Sequence, residues 1–188
     1  MKHIVIFASG NGSNAENLIR YFKDSEDYIV SMVVSNNPKA KVLERAKKLN
    51  TSAFSFNRMA FYDTNHVLNL LKSSHCDLVV LAGFLWKFPK QIIAEFPNKI
   101  INLHPALLPK FGGKGMYGMH VHDAVVAKKE NETGITIHYV NENYDEGAII
   151  FQRKCRVDES DTAKDVADKI HNLEMEWFPR IVENILKP

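Results

Sequence analysis

The chain has 188 residues, of which 45% are hydrophobic and 24% are charged. This globular composition excludes a disordered or fibrous protein, and the length favours one domain over residues 1–188. The formal net charge is only +2, so we expect neither nucleic acid nor a membrane as partner. No stretch approaches the roughly 20 apolar residues of a spanning helix, and Cys76 and Cys155 are too few for a disulfide framework, so we expect a cytoplasmic protein.

Short apolar runs alternate with segments of helical periodicity through the first hundred residues. Strands that alternate with helices form a parallel sheet through right-handed crossovers. We therefore predict an α/β fold, specifically a Rossmann-like three-layer sandwich with a mostly parallel sheet. The apolar runs predict strands over residues 3–8, 29–35, 53–56, 77–82 and 99–103. The periodic segments predict helices over residues 14–23, 39–49 and 61–72, and a Pro-bounded helix before the fifth strand.

The pattern changes after the fifth predicted strand. Residues 104–119 hold four glycines and two prolines and predict a long loop, of a length that is usually functional or mobile. A helix is predicted from His120 to residue 128. Extended runs over 135–139 and 147–157 predict an antiparallel strand pair at the carboxyl-terminal end of the sheet. Apolar residues at spacings of three and four then predict a long C-terminal helix, which we expect Pro179 to kink or divide.

A glycine-rich loop joins the first predicted strand to the first predicted helix. Residues 9–14 read SGNGSN, where two glycines permit a tight turn and Ser13 and Asn14 are able to cap the helix. The free N–H groups and positive dipole end of a helix N-terminus suit a phosphate, and ligands of open α/β sheets bind at this edge. The loop is therefore a candidate phosphate site. The alternative is a plain strand-to-helix turn, because SGNGSN matches neither the dinucleotide nor the P-loop pattern.

Asn102 and His104 end the fifth predicted strand, and the period of two places their side chains on one face. An amide and an imidazole can donate to a developing oxyanion, and the imidazole can also transfer a proton. Asp145, in the turn before the last strand, is able to raise the pKa of His104 and keep it cationic if that turn folds over this edge. The structural alternatives are that Asn102 satisfies loop backbone, His104 is a packed histidine, and Asp145 serves the turn.

Two other features favour structural interpretations. His104, His120, His122 and His138 raise the possibility of a metal site, but no cysteine or carboxylate stands beside them at ligand spacing, so we expect no metal. The three aromatic residues within 84–88 are able to line an apolar pocket, although composition alone is more typical of core.

Residues 102–109 (NLHPALLP) resemble a segment, Asn-x-His-Pro-Ser-Leu-Leu-Pro, of the formyl-transferring folate enzymes. Three other segments also match the family and occur in the same order along the chain: the loop 9–14, LAGF at 81–84 and DEG at 145–147. The resemblance therefore covers essentially the whole chain. It implies transfer of a formyl group from 10-formyltetrahydrofolate, as co-substrate, to the primary amine of phosphoribosylglycinamide in purine biosynthesis. It further implies small-molecule substrates, no metal, and a monomer or homodimer.

The resemblance also implies roles for individual residues. The catalytic group would be Asn102, His104 and Asp145. Phosphoribosylglycinamide would be held by Gly12, Ser13, Asn14 and Glu174. The folate would be held by Arg58, Leu85, Trp86, Lys87, Phe88, Asn102, Asn141 and Asp145. His120 would lie beside the phosphate or the folate edge.

The chain departs from the family pattern at four places. Ala106 replaces a common serine, and LWKF at 85–88 replaces a typical Met-Arg-Ile-Leu. The stretch 112–118 is longer than in many relatives. His171 stands where a glutamine is frequent.

In the expected mechanism, the amine attacks the formyl carbon directly, and Asn102 and protonated His104 donate to the resulting oxyanion. Asp145 would stabilise the imidazolium and assist proton transfer between the two nitrogens. Two other functions stay open. A hydrolase would use the same three residues to activate water and release formate. A non-catalytic protein that binds nucleotide phosphate would use the glycine-rich loop alone and leave Asn102 and His104 without a role.

Overall fold

The computed structural model describes residues 1–187 and contains seven strands and seven helices within them. The strands are Lys2–Phe7 (β1), Tyr28–Ser35 (β2), Ser52–Ser55 (β3), Cys76–Leu81 (β4), Ile100–His104 (β5), Glu132–Tyr139 (β6) and Ile149–Arg156 (β7). The helices are Ser13–Tyr21 (α1), Lys41–Lys48 (α2), Arg58–Tyr62 (α3), His66–Ser73 (α4), Lys90–Glu95 (α5), Met119–Ala127 (α6) and Ala163–Leu186 (α7).

The strands form one sheet in the order β3-β2-β1-β4-β5-β6-β7. Strands β1 to β5 pair in parallel, whereas β6 runs antiparallel to both β5 and β7. The predicted fold class, a mostly parallel sheet with an antiparallel C-terminal strand pair and a long C-terminal helix, is confirmed. Because β1 to β5 are parallel, the loops that follow these strands meet at one edge of the sheet.

Helices cover both faces of the sheet and make two separate cores. Alternation along β1 sends Ile4 and Ile6 into the core under α1, α2, α6 and α7. Val5 and Phe7 enter the opposite core under α3, α4 and α5. All four side chains are fully buried, as expected of a central strand that is covered on both faces.

The single helix predicted over residues 61–72 is wrong, because the structure has two helices separated by a turn at residues 63–65. The N–H groups of Asp63 and Thr64 both donate to the Met59 carbonyl, at 3.0 and 3.1 Å. The Thr64 hydroxyl lies 3.0 Å from Nδ1 of His66. Short polar side chains of this kind compete with helical hydrogen bonds, and the apolar period concealed that effect.

Pro179 does not divide the C-terminal helix, since α7 continues through it. A proline has no N–H, so the carbonyl of Met175, four residues earlier, loses its helical donor. The Asn17 side chain on α1 donates to that carbonyl instead, at 2.8 Å. The carbonyl that the proline leaves free thus bonds α7 to α1. Of the two predicted effects of Pro179, a kink or a division of the helix, the division is wrong.

Both cysteines are free thiols. Cys76 is buried, and burial raises its pKa to about 12. Cys155 is half-buried on β7. No helix among residues 1–187 combines the length and apolarity that crossing a membrane requires.

Candidate active site

Asn102 and His104 lie on β5, where the sheet changes from parallel to antiparallel pairing. The antiparallel register places His138 of β6 directly opposite Asn102. Asp145 lies in the connection between β6 and β7, which folds back over this edge. Four polar side chains from two strands and one turn therefore meet at the carboxyl end of β5.

Asp145 stands between the two imidazole rings. Its Oδ2 lies 3.6 Å from Nδ1 of His104, and its Oδ1 lies 3.6 Å from Nε2 of His138. Oδ1 also lies 3.4 Å from the Asn102 amide nitrogen, and the Gly113 N–H donates to Oδ2 at 2.9 Å. The structure thus brings together Asn102, His104 and Asp145, the three residues for which a catalytic role is predicted.

His138 controls the orientation of the Asn102 amide. Nδ1 of His138 lies 2.8 Å from the Tyr139 carbonyl oxygen, which can only accept, so Nδ1 carries a proton. In the neutral ring, Nε2 then accepts from the Asn102 amide nitrogen, which lies 3.0 Å away. The second amide hydrogen of Asn102 points to Asp145, and at 3.4 Å this is the weaker of its two contacts.

His104 is 3% exposed, and its Nε2 lies 2.8 Å from the carbonyl oxygen of Phe111. That carbonyl fixes a proton on Nε2 and leaves Nδ1 facing Asp145. Burial lowers the pKa of His104 below its ordinary value of 6.5, and the opposing Asp145 charge and Phe111 carbonyl do not offset it. The expectation that Asp145 keeps His104 cationic is therefore wrong, because burial disfavours the charged ring more than one carboxylate favours it.

Asp145 is held as a carboxylate. Burial opposes its charge, but the ring of His138, the ring of His104 and the Gly113 N–H together bring its pKa below the ordinary value of 3.8. Its backbone adopts a left-handed φ of 57°. A Cβ at Gly112 would approach within 2.6 Å of Leu108 and 3.2 Å of Asp145. The glycine-rich loop after β5 thus packs closely against the carboxylate.

The loop after β1 ends at Gly12, which has a φ of 78° and occupies the N-cap position of α1. No side chain caps this helix, so the prediction that Ser13 or Asn14 does so is wrong. A Cβ at Gly12 would lie 2.3–2.8 Å from atoms of Val42 on α2. Close packing and left-handed backbone both require glycine here, and the first-turn N–H groups are left without a side-chain acceptor.

Asn14 and Glu174 are adjacent at the amino end of α1. The Asn14 amide donates to Oε2 of Glu174 at 2.9 Å, and Nδ1 of His171 lies 3.5 Å from the same oxygen. This contact raises the pKa of His171 above its ordinary value. Within residues 1–187, the buried Asn14 Oδ1 and His122 Nδ1 have no hydrogen-bond partner. The residues predicted to hold the nucleotide therefore lie together at the amino end of α1: Gly12, Ser13, Asn14 and Glu174.

Arg58 lies after β3, apart from the polar cluster at the end of β5. Its guanidinium stacks over the ring of Tyr62 at 4.7 Å and lies 5.9 Å from the ring of Trp86. A cleft of about 410 Å³ opens beside it. The lining residues include Asn36, Ser55, Phe56, Asn57, Arg58 and Trp86.

The segment 85–88 and the turn 141–145, both predicted to hold the folate, contact each other. The Lys87 ammonium lies 5.9 Å from the Tyr144 ring, and Lys90 forms a 2.5 Å ion pair with Glu142. Leu85 is 47% exposed beside them. The exposed Asn141 side chain accepts from the N–H of Asn143 at 2.9 Å and so shapes the turn.

The predicted ligand contact of the Phe88 side chain needs correction, and that of His120 stays a prediction. The Phe88 side chain is 4% exposed and packs on Phe7 and Phe61 with ring centroids 5.1 and 5.4 Å apart. It is a core residue, because an aromatic cluster fills the space under β1, so its side chain cannot form a ligand wall. His120 is exposed on α6 and packs against Tyr117.

His138 is the site residue that the sequence interpretation missed, since it entered only as a possible metal ligand. The signal was available in the period-two pattern of β6. If β6 pairs with β5, a histidine two residues after the partner of His104 must face Asn102. Among residues 1–187, no group of three or more His, Cys, Asp and Glu is arranged to hold a metal ion.

Comparison with known proteins identifies the class to which this site belongs. The formyl transferase family matches residues 2–182, and the chain therefore belongs to that family. The Bacillus subtilis phosphoribosylglycinamide formyltransferase is 35% identical over 193 residues, covering 99% of this chain and 95% of the relative. The chloroplastic enzyme of that name from Arabidopsis thaliana is 34% identical and is covered over 67% of its length, against 99% of this chain.

Solved structures carry the same fold. Glycinamide ribonucleotide transformylase 1 from Geobacillus kaustophilus superposes with a TM-score of 0.89 at 31% identity, over 100% of both chains. Phosphoribosylglycinamide formyltransferase from Anaplasma phagocytophilum gives 0.88 at 33% identity, over 98% of this chain and 87% of the other.

Proposed function

We propose that this chain transfers the formyl group of 10-formyltetrahydrofolate to the primary amine of phosphoribosylglycinamide, a reaction of purine biosynthesis. The formyl transferase family and the names of the relatives support the reaction class. The observation that carries the assignment to a site is the meeting of Asn102, His104 and Asp145 at the end of β5. We take residues 1–188 as one formyltransferase domain.

The first step is attack of the amine on the formyl carbon, which forms a C–N bond and places negative charge on the formyl oxygen. The Asn102 amide donates to that oxygen after it releases its weaker, 3.4 Å contact with Asp145. Its stronger contact with His138, at 3.0 Å, holds the amide plane in position throughout. His138 is thus a positioning residue for the oxyanion donor.

The second step moves one proton from the attacking nitrogen to the departing one. Neutral His104 accepts it at Nδ1, because Nε2 is already engaged with the Phe111 carbonyl. Asp145, 3.6 Å from Nδ1, stabilises the imidazolium that results. His104 then protonates N10 of the folate as the C–N10 bond breaks, which gives tetrahydrofolate and the N-formyl product.

The substrates are proposed to enter from two sides of this cluster. The N–H groups at Gly12, Ser13 and Asn14 would receive the phosphate, because no side chain of the helix uses them. Glu174, which Asn14 orients, would accept from the ribose or the glycinamide end. The N–H groups of the loop and the Glu174 carboxylate both lie at the amino end of α1.

The folate is proposed to lie between the segment 85–88 and the turn 141–145. Leu85 and Lys87 would contact the pterin with their side chains, Phe88 only with its backbone, and Asn141 would shape the opposite wall. Trp86 and Arg58 line the cleft beyond, where the guanidinium is able to meet the carboxylate of the benzoylglutamate.

A reaction with the folate alone tests this function against hydrolysis. We expect the protein to convert 10-formyltetrahydrofolate only when phosphoribosylglycinamide is present, with formylated nucleotide and tetrahydrofolate formed in equal amounts. The readouts are free formate and the absorbance change of the folate. Formate release at a similar rate without the amine would establish a hydrolase, and nucleotide binding without folate turnover would establish a binding protein.

A further inference from the structure

Helix α2 contacts the loop after β1 at three consecutive residues. The Val42 N–H donates to the Gly10 carbonyl at 3.1 Å. The Val42 side chain occupies the space that a Cβ at Gly12 would need. Between these two contacts, Nη2 of Arg45 donates to the Asn11 side chain at 3.0 Å. The shape of the loop is therefore set by α2 as well as by the helix that it begins.

The Arg45 guanidinium bridges two elements at once. While Nη2 holds Asn11 of the loop, Nη1 forms an ion pair with Glu16 in the first turn of α1. The arginine side chain is 37% exposed and that of Glu16 is 22% exposed. A planar guanidinium with two donors at a fixed separation relates two partners in a way that a lysine ammonium does not.

We propose that Arg45 is a positioning residue for the nucleotide phosphate: its guanidinium fixes the backbone of residues 10–12 so that the N–H groups after Gly12 converge on the phosphate. This inference rests on the proposed function, in which that loop holds the phosphate. Arg45 acts through Asn11 and the loop, with no role at the formyl carbon. It therefore changes the affinity for phosphorylated ligands and leaves the chemical step unaltered.

Arg20 provides a matched control. It pairs with the other oxygen of Glu16, with Nη2 at 2.8 Å and Nε at 3.0 Å, and is 61% exposed. It carries the same charge to the same carboxylate, but among the described residues it forms no hydrogen bond or ion pair with the loop. Arg45→Met and Arg20→Met thus remove equal charge, and only the first removes the bridge.

The direct test is calorimetric titration with ribose 5-phosphate, with ribose as the unphosphorylated comparison. We expect Arg45→Met to weaken ribose 5-phosphate binding about tenfold, as for the loss of one well-oriented contact, and Arg20→Met to change it less than twofold. Arg45→Lys should lose nearly as much as Arg45→Met, because the bridge and not the charge is at stake. Asn11→Ala should show a similar loss, and the double variant Asn11→Ala/Arg45→Met should be no worse than either single variant.

Kinetics give the second readout. In Arg45→Met the KM for phosphoribosylglycinamide should rise about tenfold, with kcat and the KM for the folate within twofold of the original protein. Circular dichroism and thermal unfolding verify that the variant is folded. A fall in kcat with KM unchanged would contradict the proposal.

The outcomes separate this inference from the proposed function. Unaltered ribose 5-phosphate binding in Arg45→Met, full binding in Arg45→Lys, or no binding by the original protein would each overturn the role of Arg45. If the original protein binds ribose 5-phosphate in an Arg45-dependent way but transfers no formyl group, the inference stands and the proposed reaction fails.

Discussion

The loop after β1 and the cluster at the end of β5 occupy the same edge of one sheet but are built differently. The loop offers backbone N–H groups, and its shape follows from Gly12 and from contacts with Val42. The cluster offers side chains, and its geometry follows from strand pairing and from a distant turn that carries Asp145. The proposed phosphate binding thus depends on backbone conformation, whereas the proposed chemistry depends on side chains that strand pairing and a distant turn bring together.

Burial also has a different electrostatic effect in the two regions. At the loop, backbone donors carry no net charge, so packing against α2 costs little electrostatically. In the cluster, burial lowers the pKa of His104 while neighbouring groups hold Asp145 ionised. A neutral base next to a buried carboxylate is prepared to accept a proton and then to stabilise the cation. The following variants test this contrast, beginning with the largest expected effect.

Asp145→Asn should lower kcat for formyl transfer by about 10²–10⁴-fold. The amide cannot stabilise the His104 imidazolium, while the side chain keeps its size and its contact with the Gly113 N–H becomes weaker. Steady-state kinetics with both substrates measures the effect.

Glu146→Gln is the control for that variant, because Glu146 is the exposed neighbouring carboxylate and contacts only Asn143 among the hydrogen bonds of the described residues. Its kcat should stay within twofold of the original. A kcat for Asp145→Asn within fivefold of the original would show that the cluster is not the catalytic centre.

Gly12→Ala should destabilise the fold by about 2–4 kcal/mol, from left-handed backbone strain and from overpacking against Val42. Gly10→Ala is matched to it, since a Cβ there meets nothing within 4 Å. Urea unfolding followed by circular dichroism measures both. Equal free energies of unfolding for the two variants would mean that the loop is not held by close packing on α2.

Asn17→Ala should cost about 1–2 kcal/mol of stability, because the Met175 carbonyl loses the donor that replaces the missing Pro179 N–H. In a Pro179→Ala background, the helix supplies its own N–H and the same change should cost little. Urea unfolding of the four proteins gives the coupling energy. Equal costs in the two backgrounds would refute the compensating role of Asn17.

The pH dependence of stability is the smallest effect. The pKa of His104 is lowered by folding, so above its ordinary value of 6.5 the ring is neutral in both states and contributes nothing. Below pH 6.5 the unfolded chain binds a proton that the folded chain excludes, and stability falls. Replacing His104 by Gln should flatten the decline in the free energy of unfolding from pH 7 to pH 5. An unaltered slope would mean that His104 is not held neutral.

The sequence predicted the parallel sheet, the C-terminal strand pair and the long helix, because each depends on a local pattern. Apolar runs mark the parallel strands, and apolar spacings of three and four mark the C-terminal helix. The sequence also placed Asn102 and His104 on one face. It did not predict the neutral state of His104, which depends on how deeply the final fold buries the ring. The bond between Asn17 and Met175 depends on a pairing between distant elements that no local pattern contains. The period of β6 gives the face of His138, but its position opposite Asn102 follows only once β6 is paired with β5.

In the proposed mechanism the Asn102 amide binds the formyl oxygen, and Nδ1 of His104, next to Asp145, accepts the proton of the attacking amine. The most direct measurement is a crystal structure with phosphoribosylglycinamide and a stable analogue of 10-formyltetrahydrofolate. We expect the formyl-equivalent oxygen at about 3 Å from the Asn102 nitrogen, with the amine nitrogen within hydrogen-bond distance of Nδ1 of His104. An analogue whose reactive carbon lies in the cleft beside Arg58, away from β5, would contradict it.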